Sequence, residues 1–405
     1  MIVPRIRARQ VTSQTDCSNR TPRARAAALG ALVVALSALA SACAISNSSS
    51  SSTAGIGVGA APGAGSSAAV TARIIDGTDP LHRAGERHLG KIRQLTFGGE
   101  NAEGYFSFDG TRLVLQSTRD SFACDQIFIM DLASGESRLA SELRGKNTCA
   151  YFLGGDREIL FASTQHDGRD CPPRPDYSRG YVWPLDNYDI FALPASPGGE
   201  SAPPRRLTDN PGYDAEATVS PDGKRIIWTS LRDGDLDLYS MNADGTDVRR
   251  LTSTLGYDGG AFYAPDSKRI VYRAHHPATP EAITHYKGLI AANLVEPKAL
   301  EIMVADADGG NARAITHHGA ASFAPFWHPD GKRILFASNL DDPNGRDFDI
   351  FMINDDGTGL EKVVADSTFD GFPVFSPDGK HLVFASNRAS KARGETNLFI
   401  AEWID

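Results

Sequence analysis

A recurring hairpin turn constrains the fold of this chain more than any other feature of the sequence. Its six copies have the central pairs Asp109-Gly110, Gly155-Asp156, Asp222-Gly223, Asp266-Ser267, Asp330-Gly331 and Asp378-Gly379, and four of the six follow a proline. Proline fixes φ at the start of such a turn, and glycine adopts the left-handed conformation that closes it. Each turn therefore marks a β-hairpin, and the chain repeats that hairpin six times.

The segments between the turns predict the architecture. A short apolar run follows each turn, such as RIIWTS or HLVFAS, and a second run, such as IFIMD or LYSMN, comes next. A last short strand, for example VRRLT, ends the unit. Four short strands in a unit of roughly 45 residues are typical of a propeller blade. The sequence therefore predicts an all-β fold, a six-bladed β-propeller over residues 91–405.

The ends of the repeat region predict how the ring of blades closes. The sixth unit stops at Asp405 after its third strand, whereas the first unit begins with an unmatched fourth-strand sequence, Ile92 to Thr96. A closed ring of sheets leaves no long unpaired edge. We therefore predict that the N-terminal strand completes the last blade.

The SPDGKR turns and the NADGTDVRRLT-type segments resemble the repeats of TolB-like β-propellers. The resemblance covers residues 91–405, and it is specific for fold rather than for function. TolB proteins carry a separate α/β domain ahead of the propeller. A segment rich in Ser, Gly and Ala takes that place here.

The first 42 residues have the features of an export signal. Six arginines precede an apolar run from Ala26 to Ala40, which is too short to span a bilayer. The small residues before Cys43 resemble the lipobox of bacterial lipoproteins, so we expect Cys43 to be lipidated. Cleavage at the Ala-x-Ala pattern that ends at Ala42, followed by plain secretion, is the alternative. Ala44 after the cysteine suggests sorting to the outer membrane.

Residues 43–90 are predicted to form a disordered tether, because their Ser/Gly/Ala composition cannot bury enough apolar surface to offset the entropy of ordering. We therefore expect a monomeric lipoprotein on the periplasmic side of the bacterial envelope. The membrane would be contacted only through the lipid. The net charge of −9 argues against nucleic acid as a partner.

Two long insertions distinguish the blades from one another. Blade 2 carries residues 165–187 and blade 4 carries residues 275–297, both between the second and third strands of their blades. Residues 281–294 lack Pro and contain one Gly, and they are predicted to form a short helix. Both insertions should rise from one rim of the propeller, and a pocket between them is our site hypothesis.

The mouth of this pocket is predicted to be acidic. The residues expected there, at the starts of the innermost strands, are Glu103, Asp214, Glu216, Asp258, His317, His318 and Asp370. Such a site favours a cation, an amine or a hydroxyl-rich ligand over a polyanion. Solvated loop acids are the alternative interpretation. Tyr181 and Trp183 are candidates for stacking on a sugar ring, or they form the core of the insertion.

We expect no cofactor, and a divalent metal is the alternative. His275, His276 and His285 fall on the same rim as His317 and His318, and converging imidazoles suit a transition metal. Their spacing matches no compact ligand motif. Among the cysteines of the exported domain, Cys124 and Cys171 lie in corresponding loops of neighbouring blades. This arrangement favours a disulfide between them over the other pairings and over a zinc site.

Catalytic residues are not recognisable in the sequence, because no G-x-S-x-G motif and no spaced nucleophile and base are present. Two functions remain. The first is a non-enzymatic binding or scaffolding module for an envelope protein, peptide or glycan. The second is a metal-dependent polysaccharide lyase or hydrolase with its site in the propeller funnel.

Overall fold

The computed structural model describes residues 80–119, 121–141, 144–168, 170–177, 180–196 and 203–405. The predicted export signal, Cys43 and residues 43–79 of the predicted tether lie outside the described residues. Within them, the chain forms six four-stranded antiparallel sheets that follow one another around a ring. The predicted six-bladed β-propeller is therefore confirmed.

The first three blades follow a strand, β1 (Leu89–Gln94), that belongs to the last blade. Blade 1 consists of β2 (Glu100–Phe106), β3 (Arg112–Thr118), β4 (Gln126–Asp131) and β5 (Ser137–Leu139). Blade 2 consists of β6 (Asn147–Leu153), β7 (Glu158–Ser163), β9 (Asp189–Pro194) and β10 (Arg205–Arg206), and its insertion contains the short strand β8 (Trp183–Pro184). Blade 3 consists of β11 (Asp214–Val219), β12 (Arg225–Ser230), β13 (Asp237–Asn242) and β14 (Arg249–Arg250).

The other three blades complete the ring. Blade 4 consists of β15 (Tyr257–Tyr263), β16 (Arg269–His275), β18 (Glu301–Asp306) and β19 (Arg313–Ala314), with helix α1 (Pro280–Ala291) and strand β17 (Leu294–Val295) in its insertion. Blade 5 consists of β20 (Ser322–Trp327), β21 (Arg333–Ser338), β22 (Asp349–Asn354) and β23 (Glu361–Val364). Blade 6 consists of β24 (Asp370–Phe375), β25 (His381–Ser386), β26 (Asn397–Trp403) and β1.

The loops of the blades divide between two rims. The repeated hairpin turns join the first and second strands of each blade and form what we call the turn rim. The loops from second to third strands, and those leading into the next blade, form the opposite rim, which we call the insertion rim. Helix α1 begins after Thr279, whose hydroxyl accepts the backbone N–H of Ala282 at 3.2 Å. The predicted helix is thus confirmed, although it ends three residues earlier than expected.

Strand β1 closes the ring as the sequence predicts. It pairs antiparallel with β26, with Ile92 opposite Ala401 and Gln94 opposite Phe399. The described residues 80–88 belong to the predicted tether, but part of this segment packs against the propeller. Glu86 is buried, and its carboxylate binds the Arg388 guanidinium at 2.7 Å and the backbone N–H of Ala365 at 3.1 Å.

A hydroxyl group links the third and fourth strands in five of the six blades. In blade 6, Thr96 donates to Asn397 at 3.2 Å and accepts the backbone N–H of Leu398 at 2.8 Å. Corresponding hydroxyls in blades 1 to 4 belong to Ser141, Thr208, Thr252 and Thr316. The side-chain acceptor at the start of each third strand therefore has an architectural role, because it fixes the outer strand of its blade.

Each innermost strand contains a β-bulge at the same place. The pairing of the first and second strands shifts after the second or third matched residue in every blade. The residue at each shift has a positive φ of 48° to 59°: Glu103, Cys149, Glu216, Gly260, Ala324 and Phe372. A bulge re-aims a side chain locally. These six residues form a ring around the funnel, which we call the bulge ring.

Candidate functional site

A cavity of about 340 Å³ lies on the insertion-rim side of the funnel. All six members of the bulge ring line it. Its remaining walls come from the blade 2 insertion and from the loops that lead into the innermost strands, including Lys146, Tyr181, Trp183, Tyr213 and Phe369, whereas none of the described residues of the blade 4 insertion lines it. The volume falls in the range of small-ligand sites.

The bulge ring is chemically one-sided. Blades 1 to 3 contribute a carboxyl, a thiol and a carboxyl from Glu103, Cys149 and Glu216, whereas blades 5 and 6 contribute the apolar Ala324 and Phe372. The backbone conformation is the same in all six blades, so the architecture does not require these differences. This contrast between a repeated backbone and varied side chains is the strongest structural indication of a ligand site.

Arg273 occupies the part of the ring that Gly260 leaves open. A Cβ at Gly260 would lie 2.1 Å from the Arg273 guanidinium, so only glycine fits at this position. The guanidinium forms an ion pair with Glu216, and its Nε donates to the Tyr257 hydroxyl at 2.9 Å. Burial acts to lower the pKa of Arg273, but Glu216 and Tyr257 raise it above its ordinary value. Arg273 is therefore a fixed cation within the wall.

Glu216 is fully engaged by its surroundings. Besides Arg273, it accepts hydrogen bonds from the Thr229 hydroxyl at 2.6 Å and from the backbone N–H of Gly260 at 2.9 Å. The Tyr257 hydroxyl also donates to it, at 3.3 Å. Glu216 therefore organises the wall of the cavity between blades 3 and 4.

Glu103 has a different environment. Its carboxylate accepts hydrogen bonds only from neutral groups, the Tyr105 hydroxyl at 3.4 Å and the Cys149 thiol at 3.7 Å. Burial raises the pKa of Glu103 to about 7, and the nearby Glu216 carboxylate adds to the shift. A carboxyl held in this way exchanges its proton near neutral pH.

Aromatic side chains form the opposite wall. Trp183 packs edge-on against Phe323 and Tyr257, with ring centroids 6.2 and 6.5 Å apart. The Arg273 guanidinium lies 5.1 Å from the Trp183 ring. Phe323 also contacts Phe372 at 5.7 Å. The wall is rigid because its rings are packed against one another.

The two insertions are joined to each other above this cavity. Strand β8 of the blade 2 insertion pairs antiparallel with β17 of the blade 4 insertion, with Trp183 opposite Val295. Tyr181, just before β8, stacks on Tyr177 and lies under the Arg346 guanidinium of blade 5 at 4.9 Å. The segment 180–184 therefore reaches from blade 2 towards blade 5 across the funnel, and we call it the strap.

Three of the predicted acids do not face the cavity. The Asp214 carboxylate accepts the Trp228 indole N–H at 3.0 Å, Asp258 binds His276 at 2.9 Å, and Asp370 pairs with Arg388 at 3.4 Å. All three are buried at the first or second position of an innermost strand, two residues before the bulge ring. Here the structure corrects the sequence analysis, because their side chains point into their own blades. Burial raises the pKa of Asp370 to about 6.

The rim histidines are not brought together. His275 hydrogen-bonds the Ala299 carbonyl at 3.2 Å, His276 binds Asp258, and His285 lies 3.2 Å from Glu296. His317 and His318 are exposed and do not line the cavity. Within the part of the chain that the structure describes, no group of three or more His, Cys, Asp or Glu side chains could hold a metal ion.

The cysteines separate into a cross-link and a thiol. Cys124 and Cys171 form a disulfide with a Cα–Cα distance of 5.9 Å, the pair that the sequence analysis favours. It joins the blade 1 loop to the blade 2 insertion on the insertion rim. Cys149 is a free thiol in the cavity wall. Burial raises its pKa well above the ordinary value, and the neighbouring Glu103 adds to the shift.

Several cavity residues were not predicted as site residues. Glu103, Glu216, Tyr181 and Trp183 line the cavity, and so do Arg273, Phe323, Phe369 and Phe372, which were not predicted. Comparing the bulge position of each innermost strand across the six repeats would have found Phe372 and Gly260. Arg273 lies within a second strand, and no sequence signal marks it.

A second cavity, of about 350 Å³, opens on the turn rim. Prolines of four repeated turns line it, Pro221, Pro265, Pro329 and Pro377, together with aromatic residues such as Phe108 and Tyr263. Its prolines recur from blade to blade as part of the turn itself. Because these prolines recur in the turns of several blades, the architecture of the propeller is sufficient to explain them. We therefore place the candidate site at the insertion-rim cavity.

Comparisons with known proteins find solved structures of low sequence identity. No protein-family model matches the sequence. A protein assigned as a TolB in Agrobacterium tumefaciens is 19% identical, with a TM-score of 0.48, over 76% of this chain and 91% of that one. TolB from Acinetobacter baumannii is 17% identical, with a TM-score of 0.48, over 76% of this chain and 65% of that one.

An enzyme also has a similar structure. Oligogalacturonate lyase from Vibrio parahaemolyticus is 13% identical, with a TM-score of 0.47, over 82% of this chain and 96% of that one. At these identities nothing about function is transferred, and the propeller fold rests on the six sheets themselves. No helix in the described ranges is both long enough and apolar enough to cross a membrane.

Proposed function

We propose that this protein is a non-enzymatic binding module of the bacterial cell envelope. Its insertion-rim cavity holds part of an envelope protein, a peptide or a glycan. The observation that carries the proposal is the bulge ring, in which one backbone conformation, repeated six times, presents acidic and thiol groups on one side and apolar groups on the other.

The walls of the cavity support binding rather than chemistry. Arg273 and Glu216 neutralise each other, and their hydrogen bonds to Tyr257, Thr229 and Gly260 fix them in place. The Cys149 thiol has a raised pKa, which disfavours the thiolate that a nucleophile needs. A rigid, half-aromatic cavity with few polar groups has the usual composition of a recognition site.

The proposed setting rests on the sequence. The signal-like residues 1–42 and the cysteine at position 43 support an exported lipoprotein on the periplasmic side, anchored in the outer membrane. Radiolabelled palmitate incorporation by the wild type and by Cys43→Ser tests this setting. Label in the wild type alone supports lipidation, and a protein without label supports plain secretion.

Photo-crosslinking in the source cells tests the proposed function. A benzoyl-phenylalanine replaces Lys146, which lines the cavity, or Lys268, which is exposed on the turn rim as a matched control. We expect a discrete adduct with an envelope component at position 146 and none at 268. Equal adducts at both positions, or none at 146, would overturn the proposal.

The alternative function, a metal-dependent polysaccharide lyase or hydrolase, rests on the sequence positions of the histidines on blades 4 and 5, which are not brought together within the described residues. Elemental analysis of the dialysed, tag-free exported domain decides between the two functions. Stoichiometric metal that is lost in His317→Ala would replace the binding proposal with the enzyme, whose substrate would be a polysaccharide. Metal-free protein in both samples supports the binding module.

A further inference from the structure

The charges of the cavity do not balance locally. Arg273 is paired with Glu216, and the Lys146 ammonium lies 4.0 Å from Asp186. Both cationic side chains that line the cavity therefore already face a carboxylate. Glu103 takes part in none of the ion pairs found among the described residues, and its two hydrogen-bond donors, Tyr105 and Cys149, are neutral. One carboxyl in the wall thus lacks a counter-charge.

An unpaired carboxylate is costly where water is scarce. Removing a charged group from water without a partner disfavours the charged form, and an opposite charge within hydrogen-bond distance restores it. The bulge at Glu103 turns this side chain towards the cavity with φ of 53°. A ligand cation that enters the cavity would therefore supply the counter-charge that Glu103 lacks.

The opposite wall defines the rest of the ligand. Phe323, Phe372 and Trp183 form continuous ring contacts on the side of blades 5 and 6. Aromatic faces favour apolar carbon and, through their negative π-face, cationic groups as well. A ligand that satisfies both walls has a cationic head and an apolar body.

We infer that the group received by this cavity is a primary ammonium on an apolar body, as presented by a lysine side chain or the N-terminus of a peptide, with Glu103 as its counter-ion. This inference rests on the proposed function and narrows its partner to a protein or peptide. Preferential binding of a glycan is one of the results that would contradict the inference. The fixed pairing of Arg273 with Glu216 leaves no cation free in the wall for a carboxylate next to the ammonium.

Titration calorimetry of the exported domain with three probes of similar shape tests the inference. The probes are 2-phenylethylamine, the neutral 2-phenylethanol and the anionic 3-phenylpropionate. We expect the amine to bind roughly 10-fold or more tightly than the alcohol, the difference expected for a charge-assisted hydrogen bond, and the carboxylate not to bind. This arm uses the unaltered protein, so a folding defect cannot affect it.

Two variants connect the selectivity to Glu103. Glu103→Gln keeps the shape and the hydrogen-bond acceptor but removes the charge, so amine affinity should fall roughly 10-fold or more while alcohol affinity stays the same. Glu100→Gln makes the same change at an exposed position of the same strand, outside the cavity, and should leave both affinities unchanged.

The outcomes separate this inference from the proposed function. Equal affinity for the amine and the alcohol, tighter binding of N-acetylglucosamine than of the amine, or no loss in Glu103→Gln would overturn the ammonium site. If none of the probes binds, the ammonium site is also overturned. Crosslinks at position 146 would in that case still support a binding module. Selective amine binding without any crosslinked envelope partner would support the site and overturn the module.

Discussion

Replacing Glu103 by glutamine should stabilise the protein at alkaline pH. The change removes a carboxyl whose pKa is raised to about 7 by burial, from an ordinary value of 4.5. Glutamine still accepts hydrogen bonds from Tyr105 and Cys149, so the local contacts are kept. The other ionisable groups that face Glu103 are Glu216, Arg273 and Asp125. They are the same in both proteins, so a comparison of the two isolates the charge of Glu103.

The sign and size of the effect follow from the two pKa values. The folded state binds the proton more tightly than the unfolded state, so ionisation of Glu103 has little effect below about pH 4.5, lowers the stability increasingly between about pH 4.5 and 7, and has its full, constant effect above about pH 7. The shift from 4.5 to about 7 corresponds to roughly 3 kcal/mol at full ionisation. Glu103→Gln should therefore raise the free energy of unfolding by up to about 3 kcal/mol at pH 8 and hardly at all at pH 4.5.

Urea unfolding of the exported domain at pH 4.5, 6 and 8 measures this difference, with Glu100→Gln as the matched control. The gain for Glu103→Gln should grow with pH, whereas the control should stay flat. A gain independent of pH, or a loss at pH 8, would show that the Glu103 carboxylate is already compensated in the folded protein. The reasoning about its missing counter-charge would then be wrong.

Three further substitutions probe the fold around the site. Trp228→Ala should lower the free energy of unfolding by about 3–5 kcal/mol, because this buried indole packs between blades 2 and 3 and donates to Asp214; an unchanged melting temperature would contradict that packing. Thr96→Val should lower the free energy of unfolding by about 1–2 kcal/mol, because the Thr96 hydroxyl links the closing strand to Asn397 and Leu398. Calorimetry measures this difference, and an unchanged stability would mean that closure of the ring does not depend on the hydroxyl. Gly260→Ala should lower the free energy of unfolding by about 3–5 kcal/mol, because the added Cβ would displace Arg273 from Glu216. Ala324→Gly changes a residue of the same backbone conformation and should lower the free energy of unfolding much less. Similar losses in the two variants would mean that the backbone conformation, and not Arg273, causes the effect.

The sequence repeats made the fold predictable. Six copies of one turn and an unmatched strand at Ile92–Thr96 were sufficient to predict both the blade number and the closure by β1. Local chemistry determines these features, because proline, glycine and alternating apolar residues act within a few positions along the chain. The boundary of the tether was less accessible, since Glu86 is ordered by Arg388, which lies 302 residues away.

The site was predicted only in part, for a geometric reason. Asp214 and Glu216 are two residues apart on one strand, and a regular strand would point both side chains to the same face. The bulge breaks that alternation, so Glu216 lines the funnel while Asp214 binds Trp228. Arg273 enters the cavity because Gly260, from the neighbouring strand, leaves room for it, and such pairings are not visible along one segment.

The pairing of β8 with β17 has a consequence for transplanting this site. Since each insertion supplies the only β-partner of the other among the described residues, the blade 2 and blade 4 loops form one structural cassette. Grafting the blade 2 loop alone onto another propeller would leave Trp183 without Val295 beside it. Designers who wish to move this recognition surface to a new scaffold must therefore transfer both loops, with blade 3 between them, as a single unit.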